Sequence, residues 1–217
     1  LTVGYFIGGR FADRHPSERL LCTLTALAAL SITIIPFISQ SILNWSITGI
    51  AEISVSIFVS SLIGTILLFA VPVTLLGLVS PFAIRLATRE VGKSGQTSGS
   101  LYAISTCGSI LGAFLPVLWL VPTFGVRRTL LIFGALLFAA SLWGLRPRWR
   151  PAFALALIPL VIPLGPLKYI PNLIYEKESL YNYIQVTQSP DGTRELILNE
   201  GQAIHSIYYP NPNTVLT

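Results

Sequence analysis

Two patterns divide the chain. From Leu1 to Leu167 apolar residues run in long blocks broken by short charged segments, and from Lys168 onward polar and apolar residues tend to alternate. The first pattern predicts helices in lipid, the second predicts strands. The block Leu20 to Ile38 holds about 19 residues, enough at ~1.5 Å per residue to cross a hydrocarbon core of ~30 Å. Ile53 to Ile84, Leu101 to Val121 and Thr129 to Leu145 are expected to cross in the same way, with Pro72 and Pro81 kinking the longest block. Leu1 to Gly9 reads as the last turns of another span, in which Gly4 and Gly8 allow close helix approach. Pro151 to Leu167 is long enough to cross, yet Pro159, Pro163 and Pro166 leave both a span and a re-entrant segment open. Segments 10–19, 39–52, 85–100 and 122–128 are the expected loops.

Within the third full block, Ser105, Gly108, Ser109 and Gly112 recur at helical spacing. Such a small face predicts a helix–helix contact, with a polar solute path as the alternative. Past the apolar region, Asn182 to Gln188 and Thr193 to Asn199 are short runs rich in β-branched and aromatic residues, joined through Ser189-Pro-Asp-Gly192. Pro presets φ at the turn and Gly supplies a positive φ, so the pair is an expected β-hairpin. Tyr183, Gln185 and Thr187 should share one face, and Ile184 and Val186 the other. Ala203 to Tyr209 adds a third expected strand. The fold class is therefore a polytopic helical membrane bundle over residues 1–167, followed at 168–217 by the first strands of a small β-domain. The chain opens without Met inside an apolar run and closes soon after the third strand, which reads as a piece cut at both ends.

Composition agrees with the membrane reading. Of 217 residues, 53% are hydrophobic and only 11% charged, outside the range of soluble domains. Net charge is +5, but residues 1–168 carry 12 of the 14 Lys and Arg. Segments 10–19, 85–93 and 146–150 hold three cations each, against none in 39–52 and two in 122–128. That asymmetry is the positive-inside pattern and places the first set in the cytoplasm; it accounts for the basic charge without a nucleic-acid partner. The side of the membrane on which the β-domain emerges depends on whether Pro151 to Leu167 crosses. Cys22 and Cys107 lie in apolar blocks and read as small hydrophobes. His15 and His205 belong to different domains and no Cys-x-x-Cys occurs, so no metal site is expected. No glycine-rich nucleotide turn and no nucleophilic triad can be assembled either.

Two stretches carry resemblances. Gly9-x-x-x-Asp13-Arg14 resembles the cytoplasmic loop signature of major-facilitator transporters, in which an Asp and a basic residue pin neighbouring helices; a charged loop obeying the positive-inside rule is the plain alternative. Tyr175-Glu-x-Glu-Ser-x-Tyr-Asn-Tyr-Ile-Gln-Val186, followed by the hairpin and Leu198-Asn-Glu-Gly-Gln-Ala-Ile-His-Ser206, resembles the opening strands of spermidine synthases (polyamine aminopropyltransferases). The likeness is to the bacterial branch fused behind a multi-span domain. Ser80-Pro-Phe-Ala-Ile-Arg85, Leu101-Tyr-Ala-Ile-Ser-Thr106 and Gly125-Val-Arg-Arg-Thr129 resemble its membrane half.

That resemblance implies a β-domain leading into a downstream Rossmann-like domain, with decarboxylated S-adenosylmethionine as cosubstrate and a polyamine as acceptor. A catalytic aspartate and a glycine-rich turn belong to the downstream domain, so no catalytic residue is expected in residues 1–217. By the same likeness Tyr181, Asn182, Gln202 and His205 are the substrate-binding candidates. Asn182 stands where the family has glutamine, and the turn before Gln202 reads Leu-Asn-Glu-Gly rather than Leu-Asp-Gly, which leaves donor and acceptor identity open. The partners implied are the lipid bilayer of a bacterial inner membrane, a small polyamine and a second copy of the chain. A transporter and a structural membrane protein are the competing classes. The scarcity of ionisable residues inside the spans, where only Glu52 stands at an edge, favours an enzyme with the spans as its anchor.

Overall fold

A computed structural model describes residues 1–51, 57–88, 92, 94–142, 171–179, 182–198 and 203–210. The chain divides into two compact units, Leu1–Leu111 with Leu130–Ile162, and Gly112–Thr129 with Pro163–Thr217. Among the described residues, three helical stretches are long and apolar enough to cross a membrane: Glu18–Ser39, Phe58–Ala87 and Ser94–Leu142. The segment Pro151 to Leu167 lies outside the described residues.

In the first unit, α1 (Thr2–Arg14) packs along α3 (Ile57–Ala87), and α2 (Glu18–Ala51) packs on α3 as well. α1 and α3 are parallel, since Gly4 meets Thr74 and Gly77, Gly8 meets Leu78, and Phe11 meets Phe82 at 6.3 Å between ring centroids. The expected small-residue contact is thus real and is completed by Gly77. A Cβ built on Gly77 would sit 2.8 Å from the carbonyl oxygen of Leu1 and 3.0 Å from the Cα of Gly4, so the two backbones touch there. A second seam joins α2 to α5 (Val121–Leu142). Ala26, Ala29 and Phe138 form its buried cluster, and Gly134 lies against the Thr33 side chain and the Ala29 carbonyl. Thr33 returns its hydroxyl proton to the Ala29 carbonyl at 2.8 Å, so the seam holds no unsatisfied hydroxyl at that point.

Four expectations for the helices change. The loop 10–19 contracts to residues 15–17, since α1 runs to Arg14 and α2 begins at Glu18. Residues 40–51, read as a loop, continue α2, because Ile42, Leu43, Trp45, Ile47 and Ile50 keep the stretch apolar and no breaker pair interrupts it. The loop 85–100 shrinks, since α3 runs to Ala87 and α4 (Ser94–Leu115) begins before the expected span. The loop 122–128 is instead a break confined to Gly125, whose φ of 82° and ψ of 165° only glycine adopts readily. Just before it, Pro116–Leu120 forms a π-helical turn, α4 and α5 being joined through it without a loop. Proline cannot donate to the carbonyl four residues back and its ring crowds that carbonyl, which favours such widening. The break falls inside the expected loop, so the helices on either side of Gly125 correspond to two of the four expected spans, within one long apolar stretch, Ser94–Leu142.

The small face of α4 also departs from expectation. α4 has no buried residue among those described, and a Cβ on Gly108 or Gly112 would meet nothing within 4 Å. Ser109 and Thr106 turn their hydroxyls onto the carbonyls of Ser105 and Tyr102. No helix–helix contact within the described chain covers this face.

In the second unit, four strands form an antiparallel sheet in sequential order: β1 (Leu173–Glu178), β2 (Tyr183–Gln188), β3 (Arg194–Leu198) and β4 (Ala203–Tyr208). β2 to β4 match the three expected strands. β1 escapes period-two reading because Leu-Ile-Tyr-Glu-Lys-Glu has no clean alternation.

Candidate functional site

The sheet is the place where the sequence-selected residues can be judged. The β2–β3 hairpin closes on Ser189 to Gly192, where the Gly192 N–H donates to the Ser189 carbonyl at 2.9 Å and Gly192 takes a φ of 86°. Asp191 ties the turn down. Its Oδ1 accepts the Thr193 N–H at 3.1 Å and its Oδ2 accepts the Thr193 hydroxyl at 2.7 Å. These two bonds, the side-chain one foremost, hold the Asp191 carboxyl below the ordinary aspartate range.

The β1–β2 connection holds the motif Glu178-Ser-x-Tyr-Asn182. Ser179 donates its hydroxyl to the Asn182 carbonyl at 2.8 Å and accepts the Asn182 N–H at 2.9 Å, while its own N–H reaches the same carbonyl. The Ser of the motif is thereby a loop clamp. Its bonds fix the backbone of Asn182, which is half-buried immediately before β2.

Across the sheet, Ile184 pairs with Leu198, which pairs with Ala203. Asn182 and the residues that bound the β3–β4 connection thus lie at one end of the sheet. Tyr181 and Gln202 lie outside the described residues. His205 is described and exposed, and it occupies a bulge: Leu196 pairs with Ser206 and Ile197 with Ile204, leaving His205 as the extra residue. A bulge re-aims the side chain it carries. The structure thus sets Asn182 beside the sheet end and His205 further along the edge strand.

Residues that the sequence reading did not select stand out on β1 and β2. Gln185 is fully buried, opposite Glu176 in the β1–β2 register. Its Nε2 donates to the Tyr183 hydroxyl at 3.4 Å, and Tyr183 donates that hydroxyl to the Glu176 carboxylate. The Gln185 Oε1 is buried with no hydrogen-bond partner among the described residues. A buried acceptor without a donor costs about 1–3 kcal/mol. The run Tyr183-x-Gln185-x-Thr187 is the sequence signal: three polar residues on one face of a strand. The cluster is rich in oxygen acceptors, a carboxylate, a phenol and an amide, which suits ligands that donate N–H.

Among the described residues no group of three His, Cys, Asp or Glu side chains is placed to hold a metal ion. In the helical unit, the ionic contact is Asp13 with Arg85, at 3.4 Å between Oδ1 and Nε. It joins the ends of α1 and α3 that the charge count assigned to one side of the membrane. No protein-family model matches the chain, and neither a curated protein nor a solved structure does.

Proposed function

We propose that the chain is the membrane-anchored part of an aminopropyltransferase of the spermidine-synthase type, its helices holding the β-domain at a bacterial inner membrane. The observation that carries this reading is the coincidence of the Tyr175 to Ser206 motif with a β1–β4 sheet bearing an acceptor-rich polar cluster. In the reaction, the acceptor amine's lone pair forms a C–N bond to the propyl carbon on the sulfonium. The C–S bond breaks with its electrons passing to sulfur, methylthioadenosine leaves, and the ammonium product loses a proton. The sheet contributes one wall: the half-buried Glu176 carboxylate and Tyr183 hydroxyl accept or relay N–H bonds, with the buried Gln185 amide holding the Tyr183 hydroxyl from behind and Asn182 and His205 nearer the rim. A base for the amine and a cradle for the nucleoside come, in this reading, from a downstream Rossmann-like domain, because proximity and deprotonation supply most of the acceleration.

The test is release of methylthioadenosine from decarboxylated S-adenosylmethionine and putrescine by the full-length protein in detergent. Release is expected there, and residues 1–217 alone are expected to give none. In the full-length protein Gln202→Ala should lower turnover, and Asn182→Gln should move donor preference toward that of ordinary spermidine synthases.

A second reading, a major-facilitator-like transporter, is favoured by the Asp13–Arg85 pair, which links two helix ends where the loop signature expects a pin. Saturable solute uptake into proteoliposomes, together with no release from any diamine, would decide for it.

A further inference from the structure

The charged end of the α1–α3 pair is hollow. On α1, Tyr5, Gly9, Ala12 and Asp13 fall on one face; Ser80, Ile84 and Arg85 of α3 do the same, with Thr88 just past its end. Tyr102 of α4 completes a groove of about 400 Å³ with an apolar floor and a polar rim. A Cβ on Gly9 would meet nothing within 4 Å, so that side of α1 is open beside the seam made by Gly4, Gly8 and Gly77.

Two opposite charges stand together on the rim. The Asp13 and Arg85 side chains keep 75% and 48% of their surface exposed. One carboxylate engages at most a few of the five N–H donors of a guanidinium, and one Arg leaves carboxylate lone pairs unused. Each partner therefore retains capacity for a ligand of opposite sign. The pair is neutral as a unit, so the complementary ligand is a zwitterion rather than a simple anion.

Position narrows the source. Phe58–Ala87 is one of the stretches apolar enough to span a membrane, and Arg85 stands in its last turn. Tyr side chains with an apolar body and a polar tip suit the headgroup level, and basic pockets between helix ends hold lipid phosphates. We infer that this groove holds the headgroup of a membrane phospholipid bearing a phosphate and a primary ammonium. Arg85 donates to the phosphate oxygens and the ammonium donates to Asp13. Ser80 lines the same space, and the first acyl methylenes lie on Ile84. The inference rests on the helices lying in a membrane and not on the transfer chemistry, so failure of either leaves the other standing.

The test uses the full chain, stripped of lipid in detergent micelles and offered phosphatidylethanolamine, phosphatidylcholine or phosphatidylglycerol of equal acyl composition. Bound lipid is counted by native mass spectrometry. Phosphatidylethanolamine should be retained on the order of tenfold over phosphatidylcholine, whose quaternary ammonium has no N–H to donate. Asp13→Asn should abolish that preference, and Arg85→Ala should lower retention of every phospholipid. Ser80→Leu fills the groove without touching the ion pair and should lose the lipid with an unchanged thermal unfolding midpoint. Soluble phosphoethanolamine should not compete at the same concentration. Equal retention of the three lipids, an undiminished preference in Asp13→Asn, retention by a folded Ser80→Leu, or competition by soluble phosphoethanolamine would each overturn the assignment.

Discussion

At the scale of single residues, the hairpin turn and the buried glutamine give opposite lessons about polar groups. Asp191 is solvent-facing, and its depressed carboxyl follows from two donors of one residue, Thr193. A group whose folded pKa lies below its unfolded value stabilises the fold above the unfolded pKa, and that contribution disappears as pH falls through the folded one. Asp191 should therefore titrate below an ordinary aspartate by NMR. Thr193→Val should move it upward, because the side-chain bond is the larger cause and valine keeps only the backbone one. No upward movement would show that the turn is held otherwise. Gln185 is the reverse case, buried with one amide atom unmatched among described residues. Gln185→Leu is expected to leave the unfolding free energy of the β-domain unchanged or raised by about 1 kcal/mol, while lowering methylthioadenosine release by the full-length protein if the transferase proposal holds. A large loss of stability would mean that the glutamine is chiefly structural.

At the scale of elements, legibility in the sequence followed how local the cause was. The hairpin was readable because Pro190, Asp191 and Gly192 specify their own backbone, and β4 because Gly201 and Pro210 bracket a short run. β1 was not, since its stability comes from pairing with β2 across a bulge between Leu173 and Tyr175 rather than from its own pattern. The connection at 122–128 proved shorter than expected for a related reason. Arg127 and Arg128 look like a loop in composition, but a helix is interrupted only where backbone geometry changes, and that is Gly125 alone. Candidate site residues were legible as a motif and not as an arrangement: Ser179 proved to be a clamp and Gln185 the buried member. Glycines show the same limit. Gly4 and Gly112 read alike as small helix residues, yet a Cβ on Gly4 would run into Thr74 and Gly77, whereas one on Gly112 meets open space. Gly4→Leu should cost about 1–3 kcal/mol in micelle unfolding, because the obstructing atoms are backbone. Gly112→Ala should be neutral or stabilise by up to about 1 kcal/mol through helix propensity. Equal effects at the two sites would refute the α1–α3 seam.

At the scale of the whole molecule, the exposed apolar surface is the feature that needs a solvent. Ile104, Leu111, Phe114, Val117, Leu118 and Trp119 are all exposed along α4 and the π-helical turn. In water such a surface would drive aggregation, and in lipid it is the expected exterior. The two native cysteines report on this directly. Cys107 is exposed midway along α4, while Cys22 is half-buried near the start of α2 beside the Ala26, Ala29 and Phe138 cluster. With Cys22→Ala in place, Cys107 in reconstituted vesicles should resist a charged maleimide and should react with it once detergent and denaturant are added. The thiol is sterically open in the fold, so protection from the charged reagent has lipid as its cause and not burial. Rapid labelling of Cys107 by the charged reagent in intact vesicles would instead make the Ser105, Gly108, Ser109 and Gly112 face the wall of a water-filled path. It would transfer the weight of the functional reading from anchored transferase to transporter.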